Sequence, residues 1–379
     1  MTQAADAERP DASAWENLRA EVRLALTPGV GPRTRNLLLA RFGDAESVFR
    51  AAPSDLQSVG GVGPKIASAI VAAREIDIDA EIDICRENGI AILTQNDPQY
   101  PRPLHEIPDP PGVLFVRGAL QPSDALAVAI VGSRHATPYG LAQAERLAGG
   151  LARAGFTVVS GLARGIDGAA HRAALAAGGR TLAVLGGGIL QLYPPEHAPL
   201  AAEVANSGAV MSEVPPRMAP MGGAFPQRNR IITGLSLGTI VVEASDRSGA
   251  LISAKHANEQ GREVFAVPGR VDNRMARGCH RLIRDGARLV ETVDDVLEEL
   301  GPLVAPATKA TGEEIRHPAE LQLNEIEQQV LQNIDGDATS IDAIIARSGL
   351  PTHQVLSTIS VLEVRRVIRR LSGSTVARI

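Results

Sequence analysis

The chain has 379 residues, of which 44% are hydrophobic and 21% charged, and its formal net charge at pH 7 is -5. This is ordinary globular composition with room for two or three domains. Because the net charge of the chain is negative, any phosphate-binding surface must be a local patch. The two cysteines, Cys85 and Cys279, are too few for a disulfide framework or a cysteine-rich zinc site, so no metal is predicted.

The N-terminal residues 1–13 are polar and rich in alanine and aspartate, which is typical of a disordered tail. They lack the basic start and apolar run of a signal peptide. No stretch of the chain reaches the roughly 18 apolar residues that a membrane-spanning helix needs. We therefore expect a cytoplasmic protein with no membrane association.

Residues 14–80 read as short helices that contain a repeat, GVGPR at Gly29–Arg33 and GVGPK at Gly61–Lys65. A proline at the start of a helix after a glycine-rich turn leaves backbone N–H groups pointing outward. The pattern resembles the helix-hairpin-helix or sterile-alpha-motif-like module, which holds DNA phosphates without reading sequence. A hairpin kept only for packing is the alternative. If the module binds DNA, secondary contacts are predicted at Gly31, Arg33, Gly63 and Lys65.

Residues 81–300 alternate short apolar runs with alanine-rich helical segments such as 141–154 and 169–177. Continuous apolar strands between helices indicate a mostly parallel sheet covered on both faces. The predicted fold is therefore α/β, an extended Rossmann-like doubly wound sheet. The predicted strands are 127–131, 157–159, 181–185, 209–211, 239–242 and 263–267.

The remainder reads as a linker over 301–318 and a small C-terminal domain over 319–379. Helices are predicted at 321–333, 341–348 and 352–371, with a strand at 374–379, which is the order of a winged helix-turn-helix. Arg365 and Arg366 make the end of the third helix basic, so they are further candidates for DNA contact. Winged helices also serve as protein-interaction modules, and the domain as a whole is neutral.

Glycine clusters follow three of the predicted strands, where a doubly wound sheet binds its ligands. Glycines let a ligand approach the backbone, and the helices behind them begin with free N–H groups. Two arginines add guanidinium groups suited to phosphate oxygens. The pattern predicts an anion site. Its candidates are Gly132, Ser133, Arg134, Gly161, Arg164 and Gly165, together with the glycines at 186–188.

A dinucleotide cofactor does not fit these turns, so none is predicted. The first turn reads GSRHAT instead of G-x-G-x-x-G, and Ser160 and Gly161 stand where a ribose-binding acid is expected. Ser133, Asp167 and His171 could be drawn as a catalytic triad, but no G-x-S-x-G elbow is present. A cap for backbone N–H groups is the better interpretation of Asp167.

Glu243 ends a strand and could act as a general base, or it could bind a backbone N–H group or an arginine. We predict no catalytic residue and no enzymatic activity.

The segment FPQRNRII at 225–232 combines a lone aromatic with two arginines and an amide. A base can stack on Phe225 while Arg228, Asn229 and Arg230 hold the strand around it. The alternative is that Phe225 is a core residue and that the arginines pair with Glu213 or Glu243. The residues alone leave both interpretations open.

Between Leu126 and Val290 the chain resembles the DNA-processing protein A family (DprA, also called Smf). The resemblance is carried, in order, by AIVGSRHATPYG, VVSGLARGIDGAAHRAAL, GRTLAVLGGGILQLYPPEH, MSEVPP, FPQRNRIITGLS, VVEASDRSGALISAKHANEQGREVFAVPG and RGCHRLIRDGARLV. It implies sequence-independent binding and protection of single-stranded DNA, loading of the RecA recombinase during natural transformation, and a homodimer formed through the Rossmann-like domain.

The resemblance also implies a basic single-strand pocket without catalysis. Its residues are Gly132, Ser133, Arg134, Gly161, Arg164, Gly165, Phe225, Arg228, Asn229 and Arg230. One departure is the run Met221–Ala224, which lacks the basic residues expected there. The rival interpretation is a phosphoribohydrolase-like Rossmann enzyme that cleaves nucleotides. Such enzymes use a Pro-Gly-Gly-x-Gly-Thr loop, where this chain has Ser248–Leu251.

Overall fold

The computed structural model describes residues 12–220, 223–300, 307–308, 314–315, 325–335, 338–364, 367–372 and 374–378. Most of the predicted tail 1–13 and of the predicted linker 301–318, together with Arg365 and Arg366, lies outside the described residues. No helix in the described ranges is long and apolar enough to cross a membrane.

The N-terminal region is all-α, as predicted. Each GVGP repeat begins a helix, because its second glycine is the extended N-cap residue and the proline after it is the first helical residue. Leu38, Leu56 and Ile70 are fully buried in the small core that these helices share. The helices are α1 (Ala12–Leu26), α2 (Pro32–Phe42), α3 (Ala45–Arg50), α4 (Pro53–Gln57), α5 (Pro64–Ala72) and α6 (Ile78–Glu87).

The centre of the molecule is a nine-stranded sheet in the order β1-β2-β6-β5-β4-β3-β7-β8-β9. The strands from β6 to β9 in this order are parallel, while β1 and β2 add an antiparallel edge. The predicted mostly parallel doubly wound sheet is confirmed. The strands are β1 (Ile90–Thr94), β2 (Val113–Gly118), β3 (Ala127–Val131), β4 (Thr157–Ser160), β5 (Thr181–Val184), β6 (Ala209–Ser212), β7 (Gly238–Val241), β8 (Glu263–Ala266) and β9 (Arg288–Leu289).

Helices cover both faces of this sheet. Alternate residues of β3 point to opposite faces: Val128 and Ile130 join one buried cluster, and Ala127, Ala129 and Val131 join the other. The helices that connect or flank the strands are α7 (Arg102–His105), α8 (Pro138–Arg153), α9 (Ile166–Ala176), α10 (Ala198–Ser207), α11 (Ala224–Gly234), α12 (Ala250–Glu259), α13 (Arg277–Arg284) and α14 (Val293–Leu300).

The C-terminal region has the helices and strands of a winged helix. They are α15 (Glu325–Leu331), β12 (Thr339–Ser340), α16 (Ile341–Ser348), α17 (Thr352–Val364), β13 (Ile368–Ser372) and β14 (Thr375–Arg378). Earlier in the chain, β10 (Ala307–Thr308) pairs with β11 (Glu314–Ile315) in a separate two-stranded sheet.

The prediction of one helix over 352–371 is wrong, because α17 ends at Val364 and β13 pairs with β14. The strand pairing buries Ile368 and Val376 in the core of this region. The exposed Arg369 lies on β13 and not on a helix.

Candidate nucleic-acid interface

A cavity of about 720 Å³ opens at the carboxyl ends of β3 and β7. The chain leaves β3 toward β4 on one side and returns to β7 on the other, so the cavity lies at the switch point of the sheet, where ligands of doubly wound folds bind. Its walls are the loop 131–135 after β3, the start of α11 with Phe225, and the residues 245–250 before and at the start of α12. A cavity thus lies at the strand ends where the sequence predicts the site.

An aromatic pair flanked by two arginines lies beside this cavity, and one ring and one arginine of the four, Phe225 and Arg134, line it. The guanidinium carbon of Arg134 is 4.9 Å from the centre of the Phe225 ring, and that of Arg164 is 5.6 Å from the Tyr193 ring. The two ring centres are 5.9 Å apart and tilted by 59°. Gly186 makes room for Phe225, since a Cβ there would lie 2.8 Å from the ring. Tyr193 was not among the predicted site residues, although it follows a glycine-rich strand end.

Phe225 is half-buried, and Arg134 is exposed. Arg134 makes no ion pair with another described residue, so its charge is available to a ligand. Arg164 is also exposed, but its Nε lies 2.5 Å from Glu196 Oε1. This hydrogen bond lowers the pKa of Glu196, and it leaves Arg164 with less charge to offer a phosphate than Arg134.

Arg228 forms the floor of the cavity and is only 4% exposed. It donates a hydrogen bond to the Val184 carbonyl oxygen. Burial lowers its pKa to about 10, against the attraction of Asp167, so it stays protonated at neutral pH. Gly161 provides the space, since a Cβ at this position would lie 1.9 Å from Arg228 Nη1. Burial also raises the pKa of Asp167, which accepts a 3.2 Å hydrogen bond from the Gly161 N–H.

Arg230 is not brought to the cavity. It is 6% exposed, and its two terminal nitrogens lie 2.6 and 3.1 Å from the carboxylate oxygens of Glu213. The alternative interpretation, a structural ion pair, therefore describes Arg230. Asn229 does line the cavity and donates a hydrogen bond of 3.4 Å to the Gly249 carbonyl oxygen.

The remaining strand-end residues build the turns. Ser133 is buried and lines the cavity, and its Oγ accepts a 3.0 Å hydrogen bond from the His135 N–H. Gly165 has φ +72°, and a Cβ there would lie 2.2 Å from the Ser133 carbonyl oxygen. Gly132 is packed against Ile166, with 2.6 Å between its would-be Cβ and Ile166 Cγ1. Glycine is needed at these turns for close packing of the backbone as much as for access by a ligand.

The residues considered above as possible catalytic groups form hydrogen bonds within the fold. Glu243 is 2% exposed and accepts hydrogen bonds from the Thr137 N–H (2.8 Å) and Oγ1 (2.6 Å). His171 is fully buried with its Nδ1 2.7 Å from Thr181 Oγ1. Because the Thr181 hydroxyl donates to Val158, His171 Nδ1 is the donor in that contact. Ser133, Asp167 and His171 therefore each have another partner in place of a triad contact.

The two GVGP turns have different surroundings. Gly31 lies against α11, with its would-be Cβ 3.7 Å from Gln227 Nε2, two residues from Phe225. The adjoining helix is fixed by a buried ion pair between Arg35 and Glu21. Gly63 and Lys65 are exposed, and a Cβ at Gly63 would meet nothing within 4 Å. Arg33 is exposed as well.

Comparison with known proteins agrees with this architecture. Residues 91–301 match the family model described as DNA recombination-mediator protein A, residues 314–374 match the DprA winged helix domain, and residues 23–75 match a SAM-like helix-hairpin-helix tandem. The fold and these matches define a Rossmann-like protein of the DNA-processing class. More specifically, the chain belongs to the DNA recombination-mediator protein A family, DprA or Smf, and the resemblance predicted from its motifs is confirmed.

The relatives cover most of the molecule. The chain is 34% identical to protein Smf of Synechocystis over 91% of this chain and 94% of that protein. It is 45% identical to DNA processing protein DprA of Bacillus subtilis over 57% of this chain and 73% of that protein.

Two solved structures are also similar. DprA of Streptococcus pneumoniae has a TM-score of 0.65 and 36% identity, and the match covers 74% of this chain and 97% of that one. DNA processing protein A of Helicobacter pylori, described for its single-stranded DNA binding mode, has a TM-score of 0.51 and 29% identity. That match covers 56% of this chain and 97% of the Helicobacter chain.

Proposed function

We propose that the protein binds single-stranded DNA independently of sequence, through the cavity at the switch point. The observation that carries this proposal is the half-buried Phe225 ring at the cavity beside Arg134, which makes no ion pair with any residue that the structure describes. An aromatic face stacks with any base, and a guanidinium group beside it binds the flanking phosphate. The single-stranded DNA binding mode of the Helicobacter pylori relative supports the same ligand.

Within this proposal the predicted DNA contacts have unequal roles. Arg134, Phe225 and Asn229 contact the strand directly, while Arg228 supplies positive charge from the floor of the cavity. Arg164 contributes less because it is paired with Glu196. Arg230 keeps its ion pair with Glu213 and acts only by holding α11 in place.

We further propose that the bound strand is protected and passed to the recombinase RecA during DNA uptake in the cytoplasm, by a homodimer formed through the Rossmann-like domain. Membership of the recombination-mediator family supports this part. The test is RecA ATPase activity on a strand covered by a single-strand-binding protein. Addition of this protein should shorten the lag, and an unchanged lag would refute RecA loading but leave DNA binding intact.

We propose no catalytic step. Glu243 and Asp167, the buried carboxylates near the cavity, are hydrogen-bonded to backbone N–H groups, so neither is placed as a free base. The test is incubation with nucleoside monophosphates and chromatography for released base. Release that disappears in a Glu243→Gln variant would support the nucleotide-cleaving alternative.

The binding test is a titration of the full chain with a poly-dT oligomer and with a duplex, for the unchanged protein and for Arg134→Ala. A charged hydrogen bond is worth roughly 1.5–3 kcal/mol, so the variant should bind poly-dT about 10- to 150-fold more weakly. Arg86→Ala is the matched control, since Arg86 is an exposed helical arginine that pairs with Asp83 and does not line the cavity. Equal binding by the two variants would refute the assignment of the cavity.

A further inference from the structure

A second basic surface begins beside the cavity, and the proposed function has not made use of it. Arg274, Arg277, Arg281 and Arg284 follow one another at spacings of three, four and three residues. All four are exposed. The opposite side of α13 contains Gly278 and Cys279, which are buried against the sheet. The four arginines therefore share the solvent face of one short helix and the turn before it, and we call them the arginine stripe.

No carboxylate of the described residues forms an ion pair with the arginine stripe. The nearby Arg270 pairs with Asp272, and Arg288 pairs with Glu299, whereas no ion pair joins any of the four to another described residue. Residues 270–288 contain six arginines and two aspartates in a chain whose net charge is -5. Like charges on one helix face repel, and such an arrangement becomes favourable when a polyanion lies along it.

The arginine stripe starts at the rim of the cavity. Met275, next to Arg274, lines the cavity itself. The Ala244 N–H donates a 2.8 Å hydrogen bond to the Met275 carbonyl oxygen, and the Gly278 N–H donates one of 2.8 Å to the Ala244 carbonyl oxygen. These two bonds hold the start of α13 against the loop after β7, whose Ser245 and Ser248 also line the cavity.

We propose that the arginine stripe binds the phosphates of the same single strand after it leaves the cavity. This inference rests on the proposed function and extends it by a second segment of the binding path. At 1.5 Å per residue the stretch from Arg277 to Arg284 is roughly 10 Å long. With a phosphate about every 3.4 Å along a stacked strand, it spans about three phosphates. Guanidinium groups bind these oxygens without reading the bases, in agreement with sequence independence.

The test compares two lengths of oligo-dT, about 6 and about 20 nucleotides, of which only the longer reaches beyond the cavity. The variant is Arg277→Gln with Arg281→Gln. Its control, Arg50→Gln with Arg86→Gln, removes the same charge from exposed N-terminal arginines. Each neutralised phosphate contributes about 0.7 to the salt dependence of binding, so the variant should lower the slope for the longer oligomer by about 1.4.

The short oligomer should bind the variant and the unchanged protein equally, and Arg277→Lys with Arg281→Lys should keep the slope of the unchanged protein. If neither oligomer binds the unchanged protein, the proposed function fails. If both bind but the variant keeps the full slope for the longer one, only the arginine stripe fails.

If the variant binds neither oligomer and its mass by light scattering is changed, α13 contacts another subunit and not the strand.

Discussion

Gly161→Ala tests whether the floor of the cavity is held together by the fit between a glycine and a buried arginine. The new Cβ would lie 1.9 Å from Arg228 Nη1 and 2.4 Å from its Cζ, so the guanidinium group must move. Arg228 is 4% exposed and hydrogen-bonded to the Val184 carbonyl oxygen, and the free space beside it is the cavity that it lines. The substitution should therefore destabilise the fold as well as disturb the cavity.

The magnitude follows from two costs. Overpacking a close-packed interior costs roughly 1–3 kcal/mol, and breaking a charged hydrogen bond costs about 1.5–3 kcal/mol more. We expect the free energy of unfolding to fall by about 2.5–6 kcal/mol in total, with weaker binding of poly-dT. Urea unfolding of the full chain and a binding titration measure the two effects.

Gly249→Ala is the matched control. This glycine also lines the cavity, has φ -60°, and offers open space to a Cβ, so its replacement should leave stability unchanged or slightly higher.

Unfolding of Gly161→Ala at the same urea concentration as the unchanged protein would refute a costly clash with Arg228. A double-mutant cycle sharpens the test. In an Arg228→Ala background the colliding atoms are gone, so Gly161→Ala should cost much less there than alone. Equal costs in the two backgrounds would show that the alanine acts through the backbone and not through Arg228.

Three further predictions concern the ring, a buried histidine and the N-terminal ion pair. Phe225→Ala should weaken poly-dT binding by roughly 1–3 kcal/mol in a fluorescence titration, and a loss seen only in the melting temperature would make the ring a core residue. Burial lowers the pKa of His171 from 6.5 to about 3. Between these two pH values the unfolded chain binds more protons than the folded one, so the free energy of unfolding should fall as the pH drops from 6.5 to 3. A His171→Leu variant whose free energy of unfolding falls equally steeply with pH in urea titrations would contradict this. Glu21→Gln should cost about 3–5 kcal/mol by leaving Arg35 buried without its partner. Restored stability in the double variant Glu21→Leu, Arg35→Met would confirm that origin, and a Glu21→Gln protein as stable as the unchanged one would disprove it.

Much of the fold could be predicted from local patterns. The strands β3, β4, β5, β7 and β8 are short apolar runs buried on both faces, and such runs are distinctive between alanine-rich helices. The GVGP repeats likewise begin helices by a local rule for glycine and proline.

The C-terminal wing was harder to predict. Residues 365–371 continue the apolar pattern of α17, yet 368–372 pairs with 375–378. Hydrogen bonds between these two segments favour the strand over a longer helix. The apolar periodicity of a single segment gives no information about such bonds.

The sequence by itself determined that this protein has a doubly wound sheet with glycine-rich turns at the strand ends, and it predicts an anion site beside them. Only the tertiary structure decided which arginines line the cavity at those turns. Arg228 and Arg230 are two residues apart on α11, which places them about 200° apart around the helix. One faces the cavity floor and the other reaches Glu213, which lies 17 residues earlier in the chain. A local motif supplies the charges, but their use depends on which partner the packed helix faces, because a buried charge is stable only beside a compensating group.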